Sequence, residues 1–112
     1  MFNTSDLKRK LQKRQRTYGG WMTLDHPALA EIMASAGFEW IVVDMEHSAI
    51  TLESAQNLIQ VIGLCGVVPL VRVTNNDPHL IKRVMDAGAS GVIVPMVNSA
   101  AEARAAVRAV RY

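Results

Sequence analysis

Three ionisable side chains, Asp44, Glu46 and His47, follow directly on the apolar run Trp40-Ile41-Val42-Val43. An imidazole titrates near neutral pH, so His47 suits a general base. Asp44 or Glu46 would stand behind it, orienting the ring or holding a metal-bound water. Arg72 sits near the end of a second apolar run, Val67 to Val73, with Asn75 and Asn76 just beyond. Its planar, permanent cation suits a carboxylate or a developing enolate oxygen. Trp21, on a shorter run upstream, joins Arg72 on the substrate-binding side of this set. Each residue also has a plainer use. A histidine after a strand is often hydrogen-bonded scaffold, and an arginine there often pairs with a nearby carboxylate such as Asp44 or Glu46. His26 and His79 fall at predicted helix starts and are expected in solvent.

These residues do chemistry together only if the elements bring them to one rim. An apolar run without polar alternation is the pattern of a parallel strand covered on both faces. In α/β folds, ligands gather where such strands end. The punctuation supplies the rest. Thr4-Ser5-Asp6 caps a helix over 6–16, with Leu7 and Leu11 as its apolar stripe. Tyr18 to Thr23 reads as a strand. A helix follows Asp25-His26-Pro27, with Leu29, Ile32, Met33 and Ala36 at helical spacing and Gly37 as its stop. After the strand Trp40 to Asp44, Thr51 caps a helix marked by Leu52, Ala55, Ile59 and Ile62 that closes near Gly63. The strand Val67 to Val73 tolerates Pro69 near its start. Asn76-Asp77-Pro78 opens a helix with Ile81, Val84 and Met85 buried and Gly88 at its end. Gly91 to Val94 is the fourth strand. Ser99 and Glu102 form a capping box ahead of a helix whose buried face is Ala103, Ala106, Val107 and Val110.

One helix followed by four strand–helix units predicts a parallel α/β sheet with right-handed crossovers. The helix stop and strand start at Ala36 to Val43 are echoed at Ala87 to Val94, two units later, which suits a barrel better than a doubly wound sheet. A (β/α)8 TIM barrel needs eight strands. The chain of 112 residues therefore reads as a single partial domain, the first half of such a barrel, with open sheet edges.

Composition narrows the function classes. Half the residues are apolar, a fifth are charged and the net charge is +2, the profile of a globular domain. Much of the positive excess lies in Lys8-Arg9-Lys10 and Lys13-Arg14-Gln15-Arg16, without interleaved aromatics. That reads as the solvated face of the first helix, not as a nucleic-acid surface. Cys65 is the single cysteine, expected buried and inert, which points to a reducing, cytoplasmic setting. No run approaches a membrane span, and no secretory signal opens the chain. No glycine-rich nucleotide loop is present, and no cysteine–histidine spacing suggests structural zinc.

Gly37-Phe38-Glu39-Trp40, Asp44-Met45-Glu46-His47, Val71-Arg72-Val73, Asn76-Asp77-Pro78, Ile81 to Gly88 and Val94-Pro95-Met96-Val97 together resemble the HpcH/HpaI aldolases. The resemblance runs over essentially the whole chain, Ala101 to Tyr112 being similar to that family's fourth helix. It implies a metal-dependent carbon–carbon lyase that cleaves a 4-hydroxy-2-oxo acid reversibly to pyruvate and an aldehyde. It implies His47 as the base on the aldol hydroxyl, acting through water, and Arg72 as the residue that holds the pyruvate oxygen and stabilises the enolate. Asp86 would raise the basicity of the histidine. It further implies Mg2+ or Mn2+ on glutamate and aspartate ligands from the family's second half, with no ligand positions in this chain, and a homo-oligomer.

Asp86 sits badly with the predicted elements. A helix starting at Pro78 carries it roughly 12 Å along the axis, away from the rim of His47. A shorter helix, a partner subunit or a purely terminating role would each account for it. Two other readings stand beside the aldolase. One is a non-catalytic half-barrel that acts only by associating through its open edges. The other is a basic-helix module on nucleic acid.

Overall fold

The structure, a computed structural model, describes residues 3–111. Four parallel strands lie in sequence order, β1 (Gly19–Met22), β2 (Trp40–Asp44), β3 (Val68–Arg72) and β4 (Gly91–Ile93). The helices are α1 (Thr4–Gln12), α2 (Pro27–Ala34), α3 (Leu52–Leu64), α4 (Pro78–Asp86) and α5 (Ala100–Val110). Each strand pairs with its neighbour in sequence, the order of consecutive units in a (β/α)8 barrel and not of a doubly wound sheet. The expected α/β architecture, one helix and then four parallel βα units, is present. Tyr112, the last residue of the expected fifth helix, lies outside the described residues. Among the described residues no helix is long and apolar enough to cross a membrane.

The middle of the sheet holds the core. Ile41, Val42 and Val43 of β2 and Val71 of β3 are fully buried, and Ile41, Val43 and Val71 pack in one core with Leu58 and Ile62 of α3 and Ile81 and Val84 of α4. Pro69 fits inside β3 because its carbonyl accepts from the Ser90 N–H, so its nitrogen faces the β4 side. There the ladder begins only at Leu70 opposite Gly91, and no donor is missed. At the other end, the Trp40 ring lies where a side chain on Gly19 would sit, so only glycine admits it. The Trp40 indole N–H donates to Thr17 Oγ1 at 3.1 Å.

Several boundaries and faces differ from the sequence reading. Asn3, not the Thr4–Asp6 segment, caps α1 by accepting from the Asp6 N–H. The helix stops at Gln12 rather than running to 16, because Arg14 turns left-handed (φ 55°) and Gln15 donates back to the Lys10 carbonyl. Leu11 is exposed, leaving Leu7 as the buried anchor of α1. Lys10 pairs with Glu39 at 2.9 Å and Thr4 donates to Ser90 at 2.8 Å, so α1 crosses the amino ends of β2 and β4. In α2 the buried residue is Ala30 and Ile32 faces solvent, while Ala36 lies exposed in the turn after the helix, which ends at Ala34. In α5 it is Ala109, while Ala103 and Val107 are exposed. Cys65 is exposed too, because it caps the carboxyl end of α3 instead of entering the core.

Candidate active site at the carboxyl ends of the strands

Asp44 and Arg72 end β2 and β3 and are register partners in the ladder. The sheet itself therefore sets carboxylate against guanidinium. Arg72 donates to Asp44 through Nε at 3.1 Å and Nη2 at 2.5 Å, a two-pronged grip that fixes the plane of the guanidinium. The Trp21 indole, arriving from β1, donates to the same carboxylate at 3.1 Å. The Arg72 guanidinium carbon lies 5.0 Å from the centroid of the Trp21 ring, within cation–π range. Asp44 thus holds both groups of the predicted substrate side.

The same carboxylate shapes the loop that carries His47. Asp44 Oδ1 accepts from the backbone N–H of Glu46 at 2.8 Å and of His47 at 3.1 Å. Ser48 Oγ donates to the Asp44 carbonyl and accepts from the Ile50 N–H at 3.0 Å. Asp44 is only 1% exposed. Burial alone would push its carboxyl up, but the Arg72, Trp21, His47 and Glu46 donors together hold it well below the usual carboxylate range. In return the Asp44 carboxylate raises the pKa of Arg72, keeping the guanidinium charged.

Glu46 completes the corner. Its Oε1 lies 3.4 Å from Arg72 Nη1 and 3.4 Å from His47 Nε2, so one oxygen faces both cation and imidazole. The His47 side chain is 72% exposed and projects from the rim. Of the two acidic residues, Glu46 is the one whose side chain approaches the imidazole. Asp44 reaches His47 only through the backbone. The structure therefore brings Trp21, Asp44, Glu46, His47 and Arg72 together.

Other candidates lie elsewhere. Asp86 is the last residue of α4, exposed beside a groove lined with Leu52 and Gln56 of α3 and with Arg83. Asn76 ties the rim to the outer layer, its amide donating to the Glu102 carbonyl at 2.9 Å. His26 and His79 are exposed as expected, but the His26 Nδ1 also caps α2 by accepting from the Ala28 N–H at 3.1 Å. Ser48 was not among the expected site residues. Its signal is local: a serine four positions after a strand-ending aspartate reaches back to close the turn. Among the described residues no three His, Cys, Asp or Glu side chains converge on a point where a metal ion would sit. Asp44, the one buried carboxylate at the rim, is already engaged by five donors. These residues do not by themselves make a divalent-cation site.

Comparison with known proteins gives the geometry a context. The HpcH/HpaI aldolase/citrate lyase family matches residues 17–112. The 2-dehydro-3,6-dideoxy-6-sulfogluconate aldolase of Pseudomonas putida is 42% identical over 91% of this chain and 40% of its own length. A pyruvate aldolase of Rhizobium etli is 42% identical over 94% of the chain and 41% of its own. Among solved structures, an HpcH/HpaI aldolase/citrate lyase family protein from Burkholderia cenocepacia superposes with a TM-score of 0.88 at 32% identity, over 96% of this chain and 43% of that one. The chain spans about two fifths of the length of the curated relatives it matches. On the family match, the identity along nearly the whole chain and the shared fold, the chain belongs to the HpcH/HpaI aldolase/citrate lyase family.

Proposed function

We propose that this chain supplies the proton-transfer and keto-acid-binding corner of a pyruvate aldolase, which cleaves a 4-hydroxy-2-oxo acid to pyruvate and an aldehyde. The observation that carries the reading is the bridge through Glu46, with Arg72 on one side and His47 on the other, each at 3.4 Å. Arg72 is held in plane by Asp44, and its Nη1 end turns toward the rim to meet the 2-oxo group. His47, directly or through a water, takes the proton of the C4 hydroxyl. The C3–C4 bond then breaks and the aldehyde departs. The bonding pair moves onto C3 and the 2-oxo oxygen as an enolate, whose charge Arg72 offsets. Glu46 is placed to pair with the imidazole once it carries that proton. Return of a proton to C3 gives pyruvate. Trp21 forms the apolar wall beside Arg72.

The divalent cation that the resemblance implies, Mg2+ or Mn2+, would act as a Lewis acid on the keto acid. It takes its ligands from outside residues 3–111 in this reading. Asp86, out on α4, supports His47 only from a second subunit, and a cytoplasmic homo-oligomer is part of the proposal.

The test is pyruvate release from a 4-hydroxy-2-oxo acid with Mg2+ or Mn2+. The chain alone is expected to give no meaningful turnover. A chimera in which it replaces the matching segment of the Pseudomonas putida aldolase is expected to be active. Robust cleavage by the chain alone, or a folded but inactive chimera, contradicts the reading.

A further inference from the structure

The two functional cations of the corner are held in different ways. Arg72 is gripped by Asp44 through two nitrogens and lies over the Trp21 ring. The His47 side chain is 72% exposed, and among the described residues the partner its ring meets is Glu46 Oε1 at 3.4 Å. Where that ring can reach is therefore set by its backbone, in the loop between β2 and α3. The loop is pinned on both sides of the histidine. On the near side Asp44 Oδ1 accepts from the N–H groups of Glu46 at 2.8 Å and His47 at 3.1 Å. On the far side Ser48 Oγ donates to the Asp44 carbonyl and accepts from the Ile50 N–H at 3.0 Å. Ile50 is 4% exposed and belongs to the core, so the hydroxyl ties the strand end to a fixed point ahead of α3. The two pins differ in what else they serve. Asp44 also holds Arg72 and Trp21, whereas both hydrogen bonds of Ser48 stay within the loop.

We infer that Ser48 is a positioning residue, whose hydroxyl closes the turn that aims the His47 imidazole at the proton it moves. This rests on the aldolase reading, which assigns the base to His47. A hydroxyl suits the place because one atom there must both donate and accept. Alanine at this position unties the Asp44 carbonyl from the Ile50 N–H, and the turn is free to widen. The imidazole then spreads over positions from which proton transfer is unproductive, and a displacement near 1 Å is enough to slow a reaction strongly. Arg72 and Trp21 remain on Asp44, so keto-acid binding is untouched. The signature of Ser48 is thus a loss in kcat at nearly constant KM.

The test uses the chimera with the Pseudomonas putida aldolase, assayed with Mg2+, and three variants of it. Ser48→Ala should lower kcat for cleavage about tenfold or more while KM changes less than about twofold. Amide hydrogen exchange across 45–50, followed by mass spectrometry, should quicken about tenfold or more, while β3 exchanges as in the native protein. Ser48→Thr keeps a hydroxyl and should restore most of the rate and of the protection. Ser99→Ala loses a comparable side-chain bond at the start of α5 and should leave kcat and loop exchange unchanged. A kcat within about twofold of native in Ser48→Ala overturns the inference. So do equal losses in the alanine and threonine variants, or a loss carried by KM. An inactive native chimera contradicts the aldolase reading instead. Hydrogen exchange then still decides, quickened exchange in Ser48→Ala sustaining the hold on the His47 loop and native exchange overturning it.

Discussion

The two middle strands and the two edge strands of this sheet are built to different standards. The face of β2 and β3 that carries Ile41, Val43 and Val71 is closed by α3 and α4, and the charged pair that ends these strands, Asp44 and Arg72, is set by their own register. β4 is only half-buried along its length, and the helices beside the edge strands leave apolar residues in solvent. Among the described residues β2 and β3 are each paired on both sides, whereas β1 and β4 are each paired on one. The candidate site draws on both, since Asp44 and Arg72 end the middle strands and Trp21 arrives from the edge strand β1.

The contrast can be broken first in the middle. Val71→Asp puts an unpaired carboxylate in the fully buried core and should abolish cooperative folding, whereas Val92→Asp on the edge strand should leave a folded, weakened protein. Thermal unfolding of both variants checks the difference. Next, Asp44→Ala strips Arg72, Trp21 and the His47 loop of their common acceptor. The expected cost is about 3 kcal/mol by urea unfolding, set by the buried charge pair and moderated because Arg72 still reaches water. Asp44→Asn should cost less, as it keeps hydrogen-bonding capacity.

A smaller effect separates the helices. Leu58→Ala, fully buried on α3, should cost about 2–4 kcal/mol, while Val107→Ala on α5 should change the stability of the single chain by less than about 0.5 kcal/mol. Smallest is the pH response. The Asp44 carboxyl is depressed in the folded state, so its stabilisation is fully present above the ordinary aspartate value, about 3.9. It is lost as the pH falls below that, because the unfolded chain takes up the proton first. Stability should decline on acidification below about pH 4 in the native chain, with a shallower slope in Asp44→Asn.

How legible this was in the sequence follows the same division. β2 reads correctly to the residue because Trp40 to Val43 is continuous apolar sequence ending in a charge. Thr51, Asp77 and Ser99 cap their helices as their spacing predicts, each by a local side-chain-to-backbone bond. On α2 and α5 the apolar spacing predicts more burial than the described residues provide, because periodicity records what a helix is suited to bury, not what covers it. The cap of α1 was misplaced because Asn3 competes with three equally good neighbours. Within the site, the types and the shared rim were readable from strand ends. The division of labour between Asp44 and Glu46 was not, since it depends on which carboxylate the register places opposite Arg72.

The most direct measurement is the exchange of pyruvate methyl protons with deuterated water, followed by nuclear magnetic resonance in the active chimera with Mg2+. It isolates the enolate that Arg72 is assigned to stabilise, apart from any choice of aldehyde. The native chimera should catalyse exchange, and Arg72→Ala should slow it about a hundredfold or more while the fold is retained. Exchange at the native rate in Arg72→Ala would contradict the assignment of this corner as the site where the enolate is held.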